Sequence, residues 1–354
     1  MNCILRNGEL TRKGVFIISL DFELYWGVRD IQSLDQSRAK LLAARLAIPT
    51  VLSLFGEYGI HATWATVGML FCESRQHLLS TAPRMKPQYT RMVLSPYQDS
   101  AGIGQDEQDD PYHYAQSLIR LINSTPHQEI GTHTFSHYYC LEDGQNAGAF
   151  QADLLAALQA AKDMNLKIES IVFPRNQVNP AYLHICEELG IITYRGNNAG
   201  WAYAPRRRDG ESQLRRAIRL LDCYLNLSGH NTYDPEEIGH GLPMNLPSSR
   251  YLRMYSRPLG RLEALRLARI RNEITHAAHH GRIYHLWLHP EDFGSHFEKN
   301  MSFLRKILDH FAGARDRNEM ESLNMRETFQ KCRASTLNEF NNHETKMYAG
   351  DISG

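Results

Sequence analysis

Short apolar runs and longer amphipathic stretches alternate along most of this chain, and few folds accommodate that order. Val15-Phe16-Ile17-Ile18-Ser19-Leu20 is the first run, and its near-continuous hydrophobicity suits a strand buried on both faces. Ser37 to Tyr58 then carries Leu41, Leu42, Leu46, Val51, Leu52, Leu54 and Phe55 at helical spacing, with Gly59 where a helix would stop. His61 to Gly68 reads as a second strand, Asp110-Pro111 as the cap of a helix through Ile122, and Glu129-Ile130-Gly131-Thr132 as the end of a third strand. Phe150 to Met164 is helical, Ile168 to Phe173 a strand, Tyr182 to Leu189 a helix and Ile191 to Tyr194 a strand. After a break, Arg261 to Ala278 is helix, Ile283 to Leu288 strand and Glu298 to Phe311 helix. Repeated strand-helix units of this kind predict parallel strands covered by helices, in a barrel or an open α/β sheet.

Two clusters at predicted strand ends fit together as a metal site. Asp21 and Glu23, two apart beyond the first strand, can project into the same space. His133 and His137 would share a face if their segment is helical, giving two nitrogen ligands, one carboxylate oxygen and an open coordination position, the pattern of a catalytic zinc-type site. With 17 histidines in 354 residues the His-x3-His spacing is not distinctive, and it also occurs at His276/His280 and His285/His289. His285 and His289 would lie roughly 13 Å apart on a strand, too far to share an ion. His276 and His280 sit at an Ala-rich helix end before Gly281, where a surface helix end is the plainer reading. The chain therefore reads as a metal-dependent hydrolase.

Composition narrows the class further. The formal net charge is zero, which gives no indication of nucleic acid as a partner. Arg206-Arg207-Arg208 with Arg215, Arg216 and Arg219 reads as a solvated helix face, the alternative being a site for a phosphate-bearing substrate. No signal-peptide core follows Met1, and no apolar segment approaches the roughly 18 residues of a membrane span, so the expectation is a cytoplasmic protein without one. Six scattered cysteines without Cys-x2-Cys spacing look like reduced thiols.

The same segments resemble, in order, the motifs of the polysaccharide deacetylase family (NodB-homology, carbohydrate esterase family 4). Asp21-Phe22-Glu23, His61 to Gly68, Glu129 to His137 and Leu286-Trp287-Leu288-His289-Pro290 carry the resemblance. It spans most of residues 14–332, with insertions near 73–109 and 196–250 and a polar tail over 333–354. The resemblance implies a distorted (β/α) barrel of seven strands that uses a divalent metal, commonly zinc, to remove acetyl groups from sugars. Some relatives open other C–N bonds, so a ureide or cyclic imide is an alternative substrate, and a glycan-binding barrel without catalysis is a third reading.

Carried over by residue, the resemblance makes Asp21 the base that activates a metal-bound water, and His133 and His137 the imidazole ligands. Phe22 stands where adjacent aspartates are common, so Glu23 becomes the third ligand and Asp21 the alternative one. Being one methylene longer than Asp, Glu23 would set the metal deeper or shift the strand. His289 becomes the acid that protonates the leaving amine, and no aspartate partner for it can be located. In Phe173-Pro174-Arg175-Asn176, Arg175 is expected to pair with Asp21 and hold it ionised. Asn176 is expected at the substrate or as a turn cap. Trp201 and Tyr203, like Trp26 and Tyr25, would stack on a sugar or anchor their loops, and Tyr138 would pack.

Overall fold

The computed structural model describes residues 3–6, 9–98, 102–207, 210–239 and 241–334, with side chains from Arg12 onward. Arg208 and the tail from 335 lie outside these. After the hairpin β1 (Cys3–Arg6) and β2 (Glu9–Arg12), β3 (Gly14–Phe22) is the first of nine strands in one all-parallel sheet. It lies between β10 (Ile283–Leu288) and β4 (Ala62–Thr66), with β11 (Met320–Ser322) against its first residues. The sheet continues through β5 (Gln128–Thr132), β6 (Ser170–Val172), β7 (Thr193–Arg195) and β8 (Met244–Asn245) at one end. At the other end, β9 (Arg250–Tyr251) pairs with β10.

The two end strands are one stretch of chain. Amides of Met244, Leu246 and Ser248 donate to carbonyls of Ile192, Tyr194 and Gly196, beside β7, whereas those of Ser249 and Leu252 donate to His285 and Trp287 of β10. Residues 244–252 thus form a single bent stave that closes the sheet, and with it the distorted barrel has the expected seven staves, β11 being an addition against the first residues of β3. The break expected over 196–250 therefore ends in barrel structure.

Period-two alternation explains the layering. Phe16, Ile18, Leu20 and Phe22 of β3 face the helices, while Val15 and Ile17 join Ala65, Val172, Met244, Leu246 and Ile283 in a separate apolar cluster inside the barrel. Above that cluster the inward positions turn polar, with Ser19, His285, Arg195 and Asp21 all buried. At the floor, buried Glu129 accepts from Thr63 Oγ1 at 2.7 Å, Ser170 Oγ at 2.5 Å and the amide of Arg326 at 3.1 Å.

The covering helices include α1 (Leu34–Tyr58), α2 (Arg75–Thr81), α3 (Gln116–Ser124), α4 (Ala147–Asp163), α5 (Leu183–Glu188), α6 (Gln213–Asp222), α7 (Glu263–His280) and α8 (Phe297–Asp316). Ser33 and Gln36 close a capping box at the start of α1, and Gly59, at φ 62°, ends it. By length and composition α1 is apolar enough to cross a membrane, contrary to the sequence expectation. Here its Leu41, Ala44, Ile48, Val51, Leu52 and Phe55 are buried in the protein. Asp110 does not cap a helix. It accepts instead from the amides of Gly104 and Tyr112 and lies 2.7 Å from His113 Nδ1, and α3 begins only at Gln116.

Candidate active site

Every candidate side chain lies at or just beyond the carboxyl end of a barrel strand, where open α/β and barrel folds build their sites. At the end of β3 the chain turns sharply. Buried Glu291 accepts from the amides of Glu23 at 2.8 Å and Leu24 at 2.6 Å, and Leu24 takes φ 46°. This turn directs the Glu23 side chain toward the two histidines. Glu23 Oε1 then lies 2.9 Å from His133 Nε2 and 3.1 Å from His137 Nε2.

The segment carrying the two histidines is not helical. Thr134 and His137 adopt φ 62° and 57°, and the loop is held from outside. Asp153 of α4 accepts from the amides of Phe135 at 2.7 Å and Ser136 at 3.3 Å and from Ser136 Oγ, while the amides of Gly68 and Met69 donate to the carbonyls of Thr134 and Phe135. Burial raises Asp153 to about 6 against those hydrogen bonds.

The donor set fits a divalent ion. One ligand atom each from Glu23, His133 and His137 lie within 4.8 Å of one another, and all three residues are buried. His133 Nε2, although close to Oε1, makes no aligned hydrogen bond. Two imidazole nitrogens and a carboxylate oxygen match the donor set of a zinc-type site. Among the described residues neither Nδ1 atom has a hydrogen-bond partner, so no acceptor there fixes the ring tautomers. Burial works to raise Glu23, but the charges of His137 and His289 and the close approach of the His133 and His137 ring nitrogens hold it well below its ordinary value. His137 is lowered, burial outweighing Glu23.

Space for this carboxylate is made by Gly27, where an added Cβ would lie 1.7 Å from Glu23 Oε2. Gly27→Ala should displace the carboxylate and weaken divalent-metal affinity by about 10–100-fold, the usual cost of disturbing a ligand's support. Metal titration alongside circular dichroism checks this, and unchanged affinity in a folded variant would remove Glu23 from the ligand set.

Asp21 lies beside the three candidate ligands and is buried. Arg195 of β7 grips it with both prongs, Nη1 to Oδ1 at 2.6 Å and Nη2 to Oδ2 at 2.7 Å. Burial pushes the carboxyl up, but Arg195, with His133 and His289, brings it below its ordinary value. Ser19 Oγ also accepts from Arg195 at 3.0 Å and lies 2.8 Å from His285 Nε2. His285 is pushed down to about 3 by burial and by Arg195, so it remains neutral.

His289, 28% exposed, places Nε2 3.9 Å from both Asp21 Oδ2 and Glu23 Oε1. Its Nδ1 lies 3.6 Å from Asp292 Oδ2, at ion-pairing distance. Burial lowers His289, but Glu23, Asp292 and Asp21 outweigh it and raise the ring to about 10. Asp292 is fixed in turn by Lys40 Nζ at 2.9 Å and Tyr251 OH at 2.5 Å.

No protein-family model and no curated protein matches this sequence. Solved structures do match. One assigned as a polysaccharide deacetylase from Mycobacterium smegmatis superposes with a TM-score of 0.58 over 95% of both chains, at 13% identity. The fold is that of the polysaccharide deacetylases. A second protein so assigned, from Pseudomonas aeruginosa PAO1, matches with a TM-score of 0.50 at 10% identity, covering 89% of each chain. The Puue allantoinase matches with the same TM-score and identity over 90% of this chain and 89% of its own.

Within this deacetylase fold, several sequence expectations are redirected. Arg175 does not reach Asp21. It pairs with Asp30 at 2.5 Å and stacks over Tyr139 at 4.4 Å, and the expected bidentate role falls to Arg195, one strand further round. Asn176 accepts from Arg195 Nη2 at 2.9 Å, which ties it to the Arg195–Asp21 pair rather than to a turn cap. Trp26 is buried, with Nε1 donating to the carbonyl of His113 at 3.0 Å, so it cannot stack on a sugar. Tyr25 is half-buried with its hydroxyl donating to the Gln32 carbonyl, and Tyr138 packs against Phe150 as expected. Trp201 is 58% exposed beside Arg215. Tyr203 donates to Asp222 at 2.7 Å, which anchors its loop.

Arg195 and Asp292 were missed in the sequence. Arg195 directly follows a predicted strand, which was a usable signal. Asp292 lies three residues after His289, and only the turn over Pro290–Gly294 brings it back to the ring.

Proposed function

We propose that this protein is a metal-dependent hydrolase that removes the acetyl group from an N-acetylated sugar. The observation that carries this reading is the convergence of Glu23, His133 and His137 beside a carboxylate held ionised and a third, differently placed imidazole. A divalent ion held by those three residues, zinc by its donor set, would supply a polarised acyl oxygen and an acidified water.

The chain's own groups divide the proton work. Asp21 accepts the proton from the attacking water. Both of its oxygens already accept from Arg195, yet each retains a lone pair, and the guanidinium favours the charged form needed before the transfer. His289 donates to the leaving nitrogen, with Asp292 stabilising its protonated ring from behind. Arg195 and Asn176 position the base, and neither needs to touch the substrate.

Purified protein should bind about one divalent ion and release acetate from an acetamido sugar only with that ion present. Metal content that survives loss of both His133 and His137 would place the centre elsewhere, with His276/His280 the next pair to test. Ring opening of a ureide or cyclic imide without acetate release would select the non-sugar amide, and tight metal binding without turnover of either class would select the glycan-binding reading. The acid role has its own test. His289→Ala should slow amide cleavage at least about tenfold more than cleavage of an activated acetyl ester, whose leaving group needs no proton. Equal losses on both substrates would remove His289 from that role.

A further inference from the structure

A cavity of about 270 Å³ opens beside the metal donors without including them. It shares with the site Asn176, which holds Arg195, and Tyr251 and Trp287, whose rings flank His289 at 5.7 and 5.6 Å. A group bound there is therefore adjacent to whatever His289 and Asp21 act upon. The volume falls just below the roughly 300–1,000 Å³ of small-molecule pockets, so it suits one compact group rather than a run of polymer.

Its wall is basic. Arg175, Arg206, Arg219, Arg250 and Arg253 line it, against the single carboxylate of Glu211. Three of these guanidiniums are already matched. Arg219 pairs with Glu211 at 2.8 Å, Arg250 with Glu273 at 2.6 Å and Asp222 at 3.3 Å, and Arg175 with Asp30. Arg206 and Arg253 have no carboxylate within ion-pairing distance among the described residues, and Arg175 Nη1 is buried with no hydrogen-bond partner. Two unmatched cations and an unsatisfied guanidinium nitrogen around one concave space call for an oxyanion with several acceptor atoms. The expectation of a merely solvated basic face also fails at its core. Arg215 is buried with Nη2 donating to the carbonyls of Trp201 and Ala204, and Arg219 donates to that of Ala202, so both build the cavity's loop.

Resting on the hydrolase reading above, we propose that the cavity binds a phosphate group of the substrate, so that the preferred substrate is an acetamido sugar carrying a phosphate ester. The sugar's amide would lie at Glu23, His133 and His137 while its phosphate meets Arg206, Arg253 and the free nitrogen of Arg175.

Two measurements test this separately from the hydrolase reading. In the first, acetate release is compared for N-acetylglucosamine, its 1-phosphate, its uridine diphosphate ester and an uncharged chito-oligosaccharide. A kcat/KM at least about tenfold higher for a phosphorylated form is expected, and the 1-phosphate against the diphosphate ester tells a terminal phosphate from a nucleotide. Arg206→Gln/Arg253→Gln should erase that preference, whereas Arg305→Gln, a surface control outside the cavity, should keep it. A preference for the uncharged sugars, or one untouched by the double variant, overturns the proposal. In the second, pyrophosphate binding to the metal-loaded protein is followed by calorimetry, which needs no turnover. Saturable binding weakened at least about tenfold in the arginine double variant is expected. Absence of binding, or binding abolished by His133→Ala but indifferent to the arginines, overturns the proposal even if every sugar is hydrolysed.

Discussion

Asp21→Asn should lose at least about a hundredfold in turnover while keeping its metal. The substitution preserves shape but removes the acceptor for the water's proton. It should spare the ion because His133 and His137 close on Glu23, not on Asp21. An asparagine also presents an NH₂ to one prong of Arg195, so a modest stability loss will accompany the kinetic one. Glu23→Gln should show the converse, with weakened metal affinity and turnover partly restored by excess metal. Measuring metal content and kcat on both variants decides the assignment. If the phenotypes are exchanged, Asp21 is the ligand and Glu23 the base.

Arg195→Met should cost about 3–5 kcal/mol, because it leaves the Asp21 carboxylate buried without its partner. The pH dependence carries a definite sign. In the wild type Asp21 is lowered, so the stability it contributes is present above the unfolded carboxyl value of ~3.9 and is lost as pH falls through the folded one. Without Arg195, burial, already the largest single influence, loses its main counterweight and pushes the carboxyl up. The variant should then regain stability relative to wild type as pH falls from neutrality towards ~4, which chemical denaturation at several pH values would reveal. Arg195→Met/Asp21→Asn should recover part of the loss. If it recovers none, the cost lies in the guanidinium's packing over Trp287, 4.4 Å away, rather than in the unpaired charge.

A buried pair of this kind seldom stabilises a fold better than apolar side chains of the same size would. Its placement above an apolar barrel interior is better explained by the chemistry at Asp21, which must be charged yet shielded. The two predictions therefore probe one device from opposite sides, the kinetic one through the base and the thermodynamic one through its holder.

What could be read in the sequence depended on how local its cause was. β3 and β10 were legible because strands buried on both faces are apolar runs, and α1 because its spacing, cap and terminal glycine agree. Asp21, Glu23 and His289 were legible because each lies at the end of such a run, and His133 because it follows a predicted strand end. The choice between Arg175 and Arg195 was not. Both follow strands, and which one reaches Asp21 depends on the curvature that carries β7 round to face β3 across the barrel. The histidine loop misled for a related reason, since a four-residue spacing fits a helical turn as well as a loop with two left-handed residues. Trp26 looked like a sugar platform because an aromatic next to a ligand can face either way, and packing beneath His113 decided it. Gly27 drew no notice, because its role exists only once the Glu23 side chain folds back over it.

The pairing of β3 has a consequence for how this chain reaches its native state. The strand that carries Asp21 is synthesised well before two of its partners, for Val15 is in register with Ile283 and Gly14 with Met320. Until those late residues exist, one edge of the most apolar strand in the protein has no neighbour, and the stave that joins β7 to β10 has nothing to close against. Long-range parallel pairing of this kind is slow to form and leaves sticky edges exposed while it waits. Fragments ending before β10 should accordingly aggregate rather than fold, and expression of the protein should respond to chaperones that shield unpaired strands.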